Sequence, residues 1–277
     1  MAETSITATT NAGTVYQCYG PETAPALLLI HGLGLARDTW DAHIAAYSAD
    51  YRVITYDLHW HGESSSPDTV PSLTAFSEQI IELLDTLNID AVTLIGFSLG
   101  GMINRRFALD HPERVNSLVI LNSPHERGEA AQQQVEERAA QSEAGGPGAN
   151  LDATIERWLT RAFIDDNPEY IAALRQRVLS NNARTYAQCR MVLAAGVTEL
   201  IRPAVPINKP SLVMTCEHDT GSTPAMSHAI AGEIAGASTI IVPTLQHLGL
   251  IEQPLLFTQP VREFLDKQVT VNSPETN

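Results

Sequence analysis

The sequence predicts an α/β protein: a mostly parallel, doubly wound sheet of eight strands flanked by helices, with a helical insertion after the sixth strand. Three observations predict it. Short uninterrupted apolar runs such as Ala26–Ile30 alternate with amphipathic helical patterns, the rhythm of a parallel sheet buried on both faces. Residues 92–101, V-T-L-I-G-F-S-L-G-G, pass from a β-branched run into a glycine turn and then into a helix. Between residues 124 and 209 the alternation stops and only helical patterns remain, before strands resume at Ser211–Cys216.

Taken in order, the first strands cover residues 5–9 and 14–19, joined by the hairpin turn Asn11-Ala12-Gly13. Ala26–Ile30 follows and runs out into His31-Gly32-Leu33-Gly34. Arg52–Tyr56 ends in Asp57 and the turn His59-Trp60-His61-Gly62-Glu63-Ser64. Ser72 is placed to cap a helix whose Leu73, Phe76, Ile80, Leu84 and Leu87 recur at helical spacing. Residues 91–95 form a central strand, 99–109 its helix, and Val115–Leu121 the sixth strand. The stretch 126–150 is rich in Ala, Gln, Glu and Gly, with a breaker at 144–148. Helices are expected over 151–163, 168–180 and Ala183–Ala195. The alternation resumes with Ser211–Cys216, a helix over 226–235, the strand Ser238–Val242 and a closing helix over 257–264. Residues 1–123 and 210–266 therefore read as the core and 124–209 as a lid over its functional edge, because long excursions in compact α/β proteins are usually functional. The polar stretch 267–277 reads as a disordered tail.

Composition narrows the classes. A chain of 277 residues with 44% hydrophobic and 18% charged residues is globular. Its net charge of −15 argues against nucleic acid and anionic membranes as partners. Cys18, Cys189 and Cys216 lie far apart without metal spacing, and read as reduced thiols. No apolar run approaches the roughly 20 residues of a membrane helix, and the first residues lack a signal-peptide pattern. The expected compartment is the cytoplasm. Neither a ligand cluster nor a dinucleotide fingerprint appears, so no metal and no organic cofactor is expected. Homo-oligomerisation is left open.

The chemistry centres on Gly96-Phe97-Ser98-Leu99-Gly100, which fits G-x-S-x-G. A serine at the point of a strand-to-helix turn sits in strained backbone, and flanking glycines remove Cβ atoms that would collide there. The helix then aims its N-terminal N–H groups at any anion formed beside the hydroxyl. Such a serine needs a base, and the base an acid that fixes its tautomer. The order for this architecture is Ser, acid, His. Asp219, in Glu217-His218-Asp219, and His247, in Leu245-Gln246-His247-Leu248, both follow strands at their carboxyl ends. Glu217 is the rival acid, set aside because it follows the strand directly. The N–H groups of Leu99 and Leu33 are the expected oxyanion donors.

With these residues the chain resembles the α/β-hydrolase superfamily over roughly residues 12–266. Within it the chain is most similar to the 3-oxoadipate enol-lactonases and related small esterases. That narrower likeness rests on Leu33-Gly34 with Trp40 downstream, on G-F-S-L-G-G, and on R-W-L-T-R-A-F from Arg157 with Asp166-Asn167-Pro168. It rests also on D-T-G-S-T-P from Asp219 and H-L-G-L-I-E-Q-P from His247. The resemblance implies a Ser98-His247-Asp219 triad, Leu33 and Leu99 as oxyanion donors, and hydrolysis of a small carboxylic ester or lactone. The chain departs from the family where Trp60 replaces a glycine and Gln246 another. Trp60, Arg127, Trp158 and Arg161 are the candidate substrate contacts, with Arg157 a further cation. A carbon–carbon bond hydrolase of diketo acids, a cofactor-free perhydrolase and a non-catalytic ligand receptor are the rivals on the same fold.

Overall fold

The computed structural model of the chain describes residues 7–272. Residues 5 and 6 of the expected first strand, and 273–277 of the expected tail, lie outside the described residues. The sheet has eight strands: β1 (Thr7–Thr9), β2 (Val15–Tyr19), β3 (Ala26–Ile30), β4 (Arg52–Tyr56), β5 (Val92–Phe97), β6 (Val115–Leu121), β7 (Ser211–Cys216) and β8 (Ser238–Val242). Their spatial order is β1-β2-β4-β3-β5-β6-β7-β8. β1 and β2 pair antiparallel, as does β2 with β4, and every pairing from β4 to β8 is parallel.

The uninterrupted apolar strands divide their side chains between two cores, since successive residues point to opposite faces. Leu28, Ile30 and Leu94 join the cluster beneath α2 (Leu73–Thr86) and α3 (Leu99–Asp110), with α9 (Pro224–Glu233) contributing Ile230. Leu27, Leu29, Ile95 and Phe97 join the other, which α1 (Asp41–Tyr47) and α11 (Leu255–Asn272) close with Tyr47, Phe257, Val261 and Leu265. α2 starts at the expected cap, where Ser72 Oγ accepts the Ala75 N–H.

Between β6 and β7 lie α4 (Glu129–Gly145), α5 (Leu151–Trp158), α6 (Arg161–Asp166), α7 (Pro168–Leu179) and α8 (Ala183–Ala195). The helix expected over 151–163 is two helices. It breaks at Leu159-Thr160 because Glu252, on the short α10 (Gly249–Glu252), accepts both the N–H and the hydroxyl of Thr160. Thr160 then caps α6 through the Phe163 N–H. α11 is also longer than the expected 257–264 and continues to Asn272. No glycine or proline interrupts the chain between Pro260 and Pro274, so little opposes its propagation past Phe264. The excursion is fastened over the carboxyl edge of the sheet from both sides. Asn181 donates to Gly34 O, Leu248 N–H donates to Trp158 O, and Arg177 pairs with Asp38.

Backbone packs closely against the glycines on either side of Ser98. A Cβ at Gly100 would sit 2.2 Å from Ile30 O, and one at Gly96 2.2 Å from Gly100 O. Both contacts are to backbone, so nothing flexible can yield. Gly100→Ala is expected to force α3 off β3 and to cost about 2 kcal/mol or more, read as a lower urea midpoint at unchanged m-value.

Candidate active site

β5 stops at Phe97, and Ser98 turns the chain into α3 with φ 55° and ψ −111°, a positive φ that a non-glycine side chain pays for in strain. The turn is held because Ser98 N–H donates to Leu121 O (2.8 Å) and Gly101 N–H donates to Ser98 O (3.0 Å). Ser98 is only 6% exposed. Its hydroxyl lies 3.1 Å from His247 Nε2, and His247 Nδ1 donates to Asp219 Oδ2 at 2.6 Å. His247 follows β8 and Asp219 follows β7, so the three groups come from the carboxyl ends of separate strands. The imidazole stands between two aromatic rings, with Phe97 at 5.0 Å and Trp158 at 6.2 Å between centroids.

Asp219 has a 1% exposed side chain that accepts four hydrogen bonds. Gly221 N–H and Ser222 N–H reach Oδ1 at 2.8 and 2.9 Å, and Asn122 Nδ2 shares Oδ2 with His247 at 2.9 Å. Burial by itself raises the pKa of this carboxyl. The charge and N–H of His247, with the Asn122 and Ser222 bonds, outweigh it and hold the group below its ordinary value. Glu217, the rival acid, is half exposed and accepts the Thr244 N–H instead.

Asn122 escaped the sequence reading. It is fully buried, at φ 46°, immediately after β6. The signal available was an Asn directly beyond an apolar strand, a residue that tolerates left-handed backbone.

The loop after β3 carries Leu33, and α3 begins at Leu99. Among the described residues, neither N–H has a protein acceptor. His31 braces this loop. Leu58 N–H donates to its Nε2 (3.0 Å), which places the ring proton on Nδ1, where it donates to Gly32 O (2.8 Å). Burial pushes the pKa of His31 down to about 4, that of His43 to about 4 and that of His61 to about 3, against 6.5 for the free ring. The unfolded chain therefore binds these protons near pH 6.5 while the folded chain refuses them until far lower. Their stabilisation is complete above that value and is lost as pH falls toward about 4. The melting temperature is expected to fall progressively across that window in a pH series by calorimetry.

The candidate substrate contacts separate. Trp158 lies against the His247 ring, as given above. Trp60 is instead buried in its turn, where its indole N–H donates to Pro67 O (3.2 Å) and its ring meets Phe76 edge-on at 5.3 Å. A bulky ring at positive φ here fills the space over α2. Arg127 ties α4 to α8, donating to Gln132 Oε1 at 3.1 Å and toward Ala194 O. Arg161 is 75% exposed and pairs with Asp165 one turn on, at 2.8 Å. Neither of these arginines is placed at the Ser98 hydroxyl by its contacts. Arg157 has its pKa held below the ordinary value, by burial first and by the charges of Arg190 and Arg138, against the opposite pull of Asp219.

Residues 25–254 match the family described as alpha/beta hydrolase fold. The chain is 31% identical over 253 residues to 3-oxoadipate enol-lactonase 2 of Acinetobacter baylyi, covering 91% of this chain and 92% of the relative. It is 28% identical to the (E)-2-((N-methylformamido)methylene)succinate hydrolase of the same organism, over 87% of this chain and 90% of that one. The crystal structure of the enol-lactonase from Burkholderia xenovorans superposes with a TM-score of 0.84 at 28% identity, covering 94% of this chain and all of that one. Among the described residues no helix is long and apolar enough to cross a membrane, and no group of His, Cys, Asp and Glu is arranged to hold a metal ion.

Proposed function

The chain belongs to the alpha/beta hydrolase fold family, and from that footing we propose that it hydrolyses a small carboxylic ester or lactone through an acyl-enzyme on Ser98. The observation that carries this reading is the continuous hydrogen-bonded line from Asp219 through His247 to the Ser98 hydroxyl, at 2.6 and 3.1 Å. The 3.1 Å contact suits proton transfer from the hydroxyl to the imidazole, and the 2.6 Å bond fixes the imidazole's tautomer and orientation. His247 takes the hydroxyl proton as Oγ attacks the carbonyl carbon, and Asp219 stabilises the imidazolium that forms. The carbonyl oxygen gains the electron pair and is held by the free N–H groups of Leu33 and Leu99, helped by the positive end of α3. Collapse expels the alkoxide or enolate, which takes the proton from His247. For a lactone that oxygen stays tethered to the acyl chain. A water molecule, deprotonated by His247, then attacks the acyl carbon and regenerates Ser98.

The helices of residues 124–209 act as the lid of this site, with Trp158 walling the imidazole. The relatives' names support an ester-type substrate, two of them being enol-lactonases. Turnover of p-nitrophenyl acetate and of a small enol-lactone, with products identified by mass, tests the reading. Cleavage of a carbon–carbon bond with both esters untouched overturns it.

Asn122 holds the acid in place. Asn122→Ala removes one of the four bonds that keep Asp219 ionised, so the carboxylate gains proton affinity. The expected result is a loss of roughly tenfold in kcat, with the acid limb of the pH–rate profile moved to higher pH. A purely structural role would lower the amount of folded protein and leave the limb where it was.

A further inference from the structure

The helical insertion meets the loop of His247 directly, at the break between α5 and α6. α5 ends at Trp158 and α6 begins at Arg161, and between them Leu159 is extended, with φ −129° and ψ 146°. This short bridge lies against the turn that follows His247. Trp158 O accepts the Leu248 N–H at 2.8 Å, and the Trp158 ring faces that of His247 at 6.2 Å and 33°. Leu159 is fully buried, in the same core as Leu248 and Leu250. Thr160 then gives both its N–H and its hydroxyl to one carboxylate, at Glu252 Oε1 (2.9 Å) and Oε2 (2.6 Å). Glu252 closes α10, the short helix into which the His247 loop runs.

An imidazole on a loop keeps its place only if the loop is held on both sides of it. Before His247 the core holds it: Thr244 N–H donates to Glu217 Oε2 (2.9 Å), and His218 N–H donates to Leu245 O (3.0 Å). After His247, α1 contributes His43 Nε2, which donates to Leu250 O at 3.1 Å. The insertion contributes the bonds at Leu248 and Glu252 given above. Hydrogen bonds to a carboxylate are shorter and roughly twice as strong as neutral ones, so the Thr160 pair is the firmest of these ties. An insertion that served only to exclude solvent would have no need to interrupt its own helices in order to bond the loop of the base. A misplacement of about 1 Å in reacting groups can cost roughly a hundredfold in rate, which makes such ties matter to the chemistry.

We propose that Glu252 and Thr160 are positioning residues for the proton transfer between Ser98 and His247. Their two bonds hold the bridge of residues 158–160 against the Leu248 turn, and through Leu248 and the Trp158 ring they keep the imidazole in line with the Ser98 hydroxyl. Neither residue touches the reacting atoms; both act through the loop of the base. Along this edge the insertion is a fixed wall of the site, because swinging it open here would carry His247 out of line. The kinetic consequence rests on the hydrolase reading, whereas the hold on the imidazole does not.

Two measurements decide it. The first is kinetic. Glu252→Ala and Thr160→Val should each lose roughly ten- to hundredfold in kcat on p-nitrophenyl acetate, with KM changed by less than about threefold. Thr160→Ser keeps the hydroxyl and should stay within about threefold of wild type. A lowered melting temperature with kcat unchanged, or an equal loss in Thr160→Ser, overturns the proposal. The second follows the His247 ring Cε1–H resonance by NMR, assigned by its absence from His247→Gln. Lying between the Phe97 and Trp158 rings, this proton reports any displacement of the imidazole. Its shift should be shared by wild type and Thr160→Ser and should move in Glu252→Ala and Thr160→Val; an unmoved resonance in both overturns the hold. Should Glu252→Ala fail to fold, Thr160→Val, which keeps the side chain's shape and the N–H bond, carries both measurements. If the wild-type chain turns over no ester, the hydrolase reading fails while the resonance still decides whether the clamp holds the imidazole.

Discussion

Ser98→Ala is expected to lower kcat on any ester substrate by roughly 10⁴- to 10⁶-fold while leaving the fold intact. The size of the loss follows from the role proposed for the hydroxyl. Without it no acyl-enzyme can form, and His247 can only activate water in a mouth shaped for a bound nucleophile. The preserved fold follows from what the backbone does. The Ser98 N–H bond to Leu121 O and the Gly101 N–H bond to Ser98 O are both main-chain bonds, so the strained turn survives removal of the hydroxyl. The loops bearing Leu33, Asp219 and His247 are anchored elsewhere. Circular dichroism and melting temperature should match the wild type within a few degrees, and a fluorophosphonate probe should label the wild type at Ser98 and leave the variant unlabelled. Residual turnover within tenfold of wild type would remove the nucleophile from the account.

How much of this site could be read from the chain alone depends on where each residue's constraint comes from. The elbow was legible because its demands are local: Gly96 and Gly100 are required by backbone approaches of 2.2 Å, and glycine is a visible signature of such an approach. Asp219 and His247 were legible through order and position, as polar residues in loops leaving β7 and β8. Asn122 was not, because its constraint is tertiary. Its partner lies 97 positions away, and an Asn after a strand has many other uses. Arg161 could have been discounted from the sequence, since Asp165 stands four residues on, the spacing of a surface pair. The break at Leu159-Thr160 was invisible for the same physical reason as Asn122, its cause being Glu252, 92 positions downstream.

Asp219→Asn should lower kcat by about 10⁴-fold, although the two side chains have nearly the same shape. The carboxylate accepts on both oxygens: backbone N–H groups of Gly221 and Ser222 at Oδ1, Asn122 Nδ2 and His247 Nδ1 at Oδ2. An amide offers one acceptor and one donor, and neither orientation suits. With its NH₂ toward His247 and Asn122, it faces the Asn122 donor and drives the imidazole to the tautomer whose proton sits on Nε2, toward Ser98, where it can no longer accept the hydroxyl proton. With its NH₂ toward Gly221 and Ser222, it sets a donor against two backbone donors and loosens the loop that carries residue 219. The first orientation costs activity through the tautomer and the second through position. A companion effect follows from linkage. Because the folded-state pKa of Asp219 is depressed, its contribution to stability is present above the ordinary carboxylate value of 3.8 and is lost as pH falls through the depressed one. Asp219→Asn should therefore be less stable than wild type at neutral pH, with the difference narrowing in acid. A stability gap that stays constant across that range, or a kcat within tenfold of wild type, would mean that the carboxylate neither fixes the imidazole nor stays ionised in its enclosure.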